Sequence, residues 1–241
     1  MGFNHPRLQG KGYYLKINQL LHDKLIQEGY ACCFGFANHN SHYPYRKHLG
    51  WKDLSILTNF ERVYVNSNPN HSVEPGDKLS IEEANSQNIT GIADYSILNE
   101  KRNFVRRDKN FLLWRLVQNP IYKYFILRSR TQSHGNIFVV YKIYQNESID
   151  LMEIFYDAQK NQSQKLLFNE IVESLDFLQN HYKTKLTLWS NLYSEEHLQL
   201  EKAGFRENTF STYFGIQNFT KNPELDCIEN WHYRFIDSDV Y

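Results

Sequence analysis

The segment Pro6-Arg7-Leu8-Gln9-Gly10-Lys11-Gly12-Tyr13-Tyr14 has the residue types of an anion cradle. Its two glycines let the backbone approach a ligand closely, because neither carries a side chain. The apolar positions that follow, Leu15, Ile17, Leu20, Leu21, Leu25 and Ile26, have helical spacing and predict a helix over residues 13–28. The start of that helix offers unpaired N–H groups and the positive end of a dipole, which together suit a pyrophosphate. A Gly-x-Gly pair alone equally marks a turn or a cap, so the reading rests on the helix behind it. Gly29 stops the helix where glycine adopts the left-handed cap.

Other reactive groups carry less. His39, His42 and His48 have no third ligand at useful spacing, so they read as loop histidines on a polar surface, and no metal is expected. Cys32-Cys33 falls in an apolar run and reads as packing. Lys101-Arg102 and Arg106-Arg107 form a basic cluster, read as a solvated helix start or as a contact for an anionic group. Asp237 and Asp239 could act as an acid–base pair, but near a terminus they read as surface or cap residues.

The elements that must position these groups alternate between helix and strand. Tyr30–Phe36 is a short buried strand. A loop with Asn38, Asn40 and Ser41 leads to a short helix near Tyr45–Leu49, closed by Gly50-Trp51, and residues 54–65 return to strand. Residues 66–99 are rich in Asn, Ser, Pro and Gly and read as a linker with one short helix. Residues 109–117 then look helical, and 122–130, 137–144 and 149–156 look like strands. Residues 164–182 form a long amphipathic helix with Leu167, Ile171, Leu175, Leu178 and Tyr182 on one face. A strand at 185–189, a helix at 195–202 and a strand at 209–216 complete the order. The first half therefore repeats the back end of a unit that the second half contains more completely.

Composition narrows the classes of function. The 241 residues carry 27 basic and 27 acidic side chains and are 41% hydrophobic, with no run approaching a membrane span. A zero net charge gives no footprint for nucleic acid or for an anionic membrane. The N-terminus has no secretory pattern, and three cysteines suit a reducing compartment, so a cytoplasmic protein is expected.

The glycine segment resembles motif A of the GNAT superfamily, the Gcn5-related acyl-CoA N-acyltransferases, whose pattern is Gln/Arg-x-x-Gly-x-Gly/Ala before a helix. Led by Gln9, the motif glycine is Gly12 and Tyr14 departs from the final Gly/Ala; led by Arg7, Gly10 and Gly12 match literally. The proline and helix spacing favour the Gln9 register. Asn38 and Tyr45, seven residues apart, resemble the family's Asn…Tyr pair, and Gly50-Trp51 stands where Gly-Phe is usual. Phe111-Leu-Leu-Trp114-Arg115 and the stretch from Trp231 to Tyr241 resemble two-copy members associated with surface-polysaccharide genes.

The resemblance implies an α/β fold of tandem GNAT-like mixed sheets flanked by helices, with the first copy incomplete. Residues 1–66 would be a partial unit from motif A onward, 67–100 a linker and 101–241 a second, degenerate unit. Gln9, Gly10, Lys11, Gly12, Tyr13 and Tyr14 would hold the acetyl-CoA pyrophosphate, Asn38 would position the pantetheine arm, and Tyr45 would be the general acid for the leaving thiolate. The implied reaction is direct attack of an amine on the thioester, with an amino sugar as a candidate acceptor. The second copy has no glycine over residues 157–165 and has Leu200 in the tyrosine position, so it is not expected to bind acyl-CoA in the usual way. Two alternatives stay open: an inactive GNAT-fold binding or scaffold module, and a Fem-like aminoacyl transferase using aminoacyl-tRNA, against which the neutral charge argues.

Overall fold

The computed structural model describes residues 7, 10–65, 79–93, 95–97, 102–131, 135–156 and 164–238. Gln9, Pro6, Asp239 and residues 157–163 of the sequence reading lie outside them. The chain is an α/β protein that divides into two units. The first takes the described residues up to Thr58 with Thr209–Trp231 and Ser238; the second takes Asn59–Asn208 with His232–Asp237.

The first unit begins with α1 (Tyr13–Gln27), followed by β1 (Cys32–Ala37), α2 (His39–His48) and the opening of β2 (Lys52–Arg62). Its remaining strand is β9 (Arg206–Asn218), which pairs antiparallel with β1, Cys32 opposite Asn218 and Ala37 opposite Tyr213. The strand order is β1–β9–β2. One face of this sheet is an aromatic core in which Phe34 lies 5.0 Å from Trp231 and Phe36 stacks 5.0 Å from Phe214. On the other face Gly35 and Gly215 sit opposite each other, and the Trp51 ring fills the space their missing side chains leave.

α1 ends as expected: Gly29 has φ +81°, its N–H donates to Ile26 and that of Tyr30 to Leu25, closing the helix in a Schellman motif. The face that α1 buries is not the expected one. His22 is buried, 6.2 Å from Trp51 and 5.7 Å from Phe219, whereas Ile17, Leu20, Leu21 and Ile26 are exposed. Contact with Trp51 turns the line through Tyr14, Asn18 and His22 inward, and the apolar stripe beside it faces out.

α2 starts earlier than its apolar pattern predicts, because Asn38 caps it. Asn38 Oδ1 accepts from the N–H groups of Asn40 and Ser41, and Ser41 Oγ accepts from the Asn38 N–H at 3.2 Å. This reciprocal box satisfies donors that the first turn would leave open, so residues expected in a loop are helical.

The second unit holds β3 (Leu79–Glu83), α3 (Ser86–Ile92), β4 (Ser96–Ile97) and α4 (Lys109–Leu112), which runs on as a π-helical turn over Leu113–Val117. Then come β5 (Phe125–Thr131), β6 (Gly135–Tyr144), β7 (Ser148–Tyr156), α5 (Gln164–Tyr182), β8 (Lys185–Leu188) and α6 (Glu195–Lys202). Strand order here is β2–β8–β7–β6–β5–β3, with β7 and β8 parallel and the other pairs antiparallel, a mixed sheet. Gln145 and Asn146, at φ 50° and 58°, make the tight turn that joins β6 to β7. Leu167, Ile171, Leu175 and Leu178 of α5 pack in one cluster with Val139, Tyr141, Ile149 and Leu151, as the helical period requires. Each such buried side chain contributes about 1.5–3 kcal/mol.

Candidate functional site

The glycine segment lies at the start of α1 with its backbone open. Gly10 and Gly12 have φ +73° and +72°, a left-handed conformation that side chains disfavour, and no described atom lies within 4 Å of where a Cβ would stand. Gly12 is the N-cap, so no side chain caps the first-turn N–H groups, and no acidic residue occupies that turn. Among the described residues, neither a cap nor a first-turn acid offsets the positive helix end. Lys11 is exposed beside it, and Lys16 Nζ lies 5.9 Å from the Tyr13 ring.

Tyr45 reaches this end of α1. Tyr14 Oη donates to Tyr45 Oη at 2.6 Å, linking the start of α1 to the middle of α2. Trp51 backs Tyr45, with ring centroids 4.7 Å apart, and itself rests 3.1 Å from the Gly215 Cβ position. The two glycines thus let Trp51 down onto the sheet, and Trp51 sets the depth of Tyr45. The Tyr14 bond occupies an acceptor position on Tyr45 Oη, so the Tyr45 proton can be directed elsewhere. Asn38 is exposed at the head of the same helix, its side-chain carbonyl oxygen committed to the cap.

Sequence reasoning missed a second cluster in this unit. The histidines expected in a loop lie on α2, where His42 Nε2 contacts both carboxylate oxygens of Asp53 at 3.0 Å, and Arg46, one turn on, pairs with Asp53 at 3.2 Å. Tyr213 stacks on His42 at 3.7 Å between ring centroids. The spacing of His42 and Arg46 on one helix face was the available signal. Tyr213, far along the chain, gave none.

β7 pairs with β8 only from Ser148 to Asp150; farther along the same strand, Phe155 and Tyr156 pair with β4. The turn Phe235–Asp237 packs against β7. Beneath it Arg107 Nε and Nη2 donate to Glu153 at 3.1 and 3.0 Å, and Nη1 and Nη2 donate to Asp237 at 2.6 and 2.9 Å. His232 Nε2 lies 3.3 Å from Glu153, and Arg234 pairs with Glu196. Burial alone would raise the Glu153 pKa, yet His232, Arg107 and Arg234 hold it far below the ordinary carboxylate range. These contacts correct two expectations. Arg107 is not a solvated helix start and Asp237 is not a surface residue, because each is the counter-ion that lets the other be buried.

Among the described residues no three His, Cys, Asp or Glu side chains converge as a metal ion would require, and no helix is long and apolar enough to cross a membrane.

No protein-family profile and no curated protein sequence matches the chain. Solved structures do. A GCN5-related N-acetyltransferase from Anabaena variabilis aligns over 88% of this chain and 52% of its own, at TM-score 0.54 and 12% identity. One from Kribbella flavida aligns over 89% of this chain and 50% of its own, at 0.52 and 10%. A tandem GNAT protein from the clavulanic acid biosynthesis pathway aligns over 90% of this chain and 73% of its own, at 0.52 and 9%. The chain spans about half the length of the first two. These alignments agree on one architecture: the chain has the fold of the GCN5-related N-acetyltransferases.

Proposed function

We propose that the chain is an acyl-CoA-dependent N-acyltransferase whose donor site lies at the start of α1. The observation that carries this reading is the open, uncapped N-terminus of α1, with Gly10 and Gly12 in left-handed conformation and Tyr45 tethered there through Tyr14. That end fits the pyrophosphate of acetyl-CoA, because the first-turn N–H groups are uncapped and the first turn carries no acidic residue. Gln9 to Tyr14 bind the diphosphate, and the Asn38 amide orients the pantetheine arm. As the amine attacks the thioester and the C–S bond breaks, Tyr45 donates its proton to the departing thiolate, and the proton shed by the amine returns through solvent to the phenolate, leaving an amide and free CoA thiol. Polarisation and positioning supply the rest of the rate, with no covalent enzyme intermediate. The acceptor is a small amine, with an amino sugar as the first class to screen, and the protein acts in the cytoplasm.

The chain is read as two copies of the fold, a partial one over residues 1–66 and a degenerate one over residues 101–241. A non-catalytic binding module is the second reading, favoured by the filled strand edge of the second unit. Thiol release from acetyl-CoA across an amine panel tests the choice. Tyr45→Phe is expected to lower kcat by about 100-fold or more, the usual span for a general acid, with acetyl-CoA affinity retained. An unchanged kcat would remove Tyr45 from the mechanism.

A further inference from the structure

Of the residues of α1, His22 is the one that is fully buried. Its side chain lies 6.2 Å from the Trp51 ring and 5.7 Å from the Phe219 ring, centroid to centroid. Half-buried Tyr14, Leu15, Asn18 and Leu25 complete the inward face of the helix, so the centre of its seat on the sheet is a titratable group. The two rings packed on His22 bring no charge. Beside Trp51, Lys52 is committed to Asp226 at 3.3 Å, and on α1 itself Lys24 pairs with Glu28 at 3.6 Å. On the same face of β1 as Gly35 stands Cys33, whose thiol burial pushes up and keeps neutral. Asp23, next along α1, favours a proton on His22, but burial outweighs it and pushes the imidazole below its ordinary value of 6.5.

We propose that His22 is an acid-sensitive seat for α1: its neutral ring holds the helix on the sheet, and a proton on that ring lifts the helix off. An apolar residue would fill the same place between Trp51 and Phe219, but it would hold α1 equally at every pH. The docked ring refuses a proton that the released ring accepts at 6.5, so release takes up a proton. The contribution of His22 is therefore complete above pH 6.5 and is lost as pH falls below it. Release of α1 also carries Gly10 and Gly12 away from Tyr45, because Tyr14, whose hydroxyl bonds Tyr45, lies two turns before His22 on the same face. This seat is independent of the acyl-transfer reading and stands or falls without it.

Amide hydrogen exchange of the full chain, corrected for intrinsic rates and read by mass spectrometry from about pH 8 to pH 5, tests it without a ligand. Protection of α1 is expected to fall below pH 6.5 by up to about tenfold per pH unit, the limit for one proton, while protection of α5 holds. His22→Phe keeps a ring between Trp51 and Phe219 that takes no proton, and is expected to remove this dependence. Nuclear magnetic resonance titration of the parent gives a second measurement that needs no variant, with the His22 midpoint expected below 6.5. Unchanging α1 protection in the parent would overturn the proposal. So would an acid loss that persists in His22→Phe, or a His22 midpoint at or above the ordinary value.

Discussion

Glu153→Gln separates a structural strut from a disguised active site. The change removes a carboxylate that accepts two bonds from Arg107, lies 3.3 Å from His232 and pairs with Arg234 at 3.6 Å. The side chains of Glu153 and Arg107 are 1% and 4% exposed, so the cations left behind cannot turn to water. Breaking a buried pair costs about 3–5 kcal/mol. Asp237 still faces Arg107 and Glu196 still faces Arg234, which places the expected loss at the lower end, about 3 kcal/mol. For a chain of this size that lowers Tm by roughly 6–12 °C, read by circular dichroism melts and urea titration. A pH series adds a signed test. Below the ordinary glutamate value of 4.5 the unfolded chain takes up a proton that folded Glu153 refuses. Its stabilising contribution is therefore complete above that pH and is lost progressively as pH falls below it. Glu153→Gln is expected to flatten this slope. A variant as stable as the parent, or more stable, would refute the reasoning, because removing a group held under strain for chemistry usually raises stability.

Four further substitutions probe the first unit. Asn38→Ala is expected to cost about 1 kcal/mol through the lost cap, measured by urea unfolding, whereas Asn38→Asp keeps the cap and loses only the amide donors. If Asn38 holds pantetheine, Asn38→Asp lowers acetyl-CoA affinity at near-parental stability; unchanged affinity leaves it a cap alone. At Gly215 a Cβ would stand 3.1 Å from the Trp51 ring, but at Gly35 it would stand 3.5 Å away, an ordinary contact. Gly215→Ala is therefore expected to destabilise by about 1–3 kcal/mol and to disturb Tyr45, and Gly35→Ala to be nearly silent in the same melts.

The long amphipathic helix α5 and the apolar strands β6 and β7 were legible because one buried face imposes its period on the sequence. Gly29 was legible as a stop for the same local reason. α1 was legible as a helix but not in its orientation: a stripe of Leu and Ile announces an apolar face without saying what covers it. The His22 contact with Trp51, a tertiary fact, decided which side went in. Asn38 carried the mark of a cap, but the Asn-rich surroundings masked it as loop. The Arg107–Glu153–Asp237 cluster joins residues up to 130 positions apart and leaves no periodic trace. For the candidate site, it was the family resemblance that pointed to the glycine segment and Tyr45. Their tether through Tyr14, and the Trp51 platform on Gly35 and Gly215, required the fold.

Calorimetric titration of the full chain with acetyl-CoA, with Gly12→Glu as control, bears most directly on the donor site at α1. A glutamate there would place a carboxylate against the bound diphosphate, in space that is open in the free protein and on a left-handed backbone that costs about 1–2 kcal/mol. The expected result is saturable binding by the parent and none by the folded variant. A folded parent that binds no acetyl-CoA, or a variant that binds it equally well, would contradict the site.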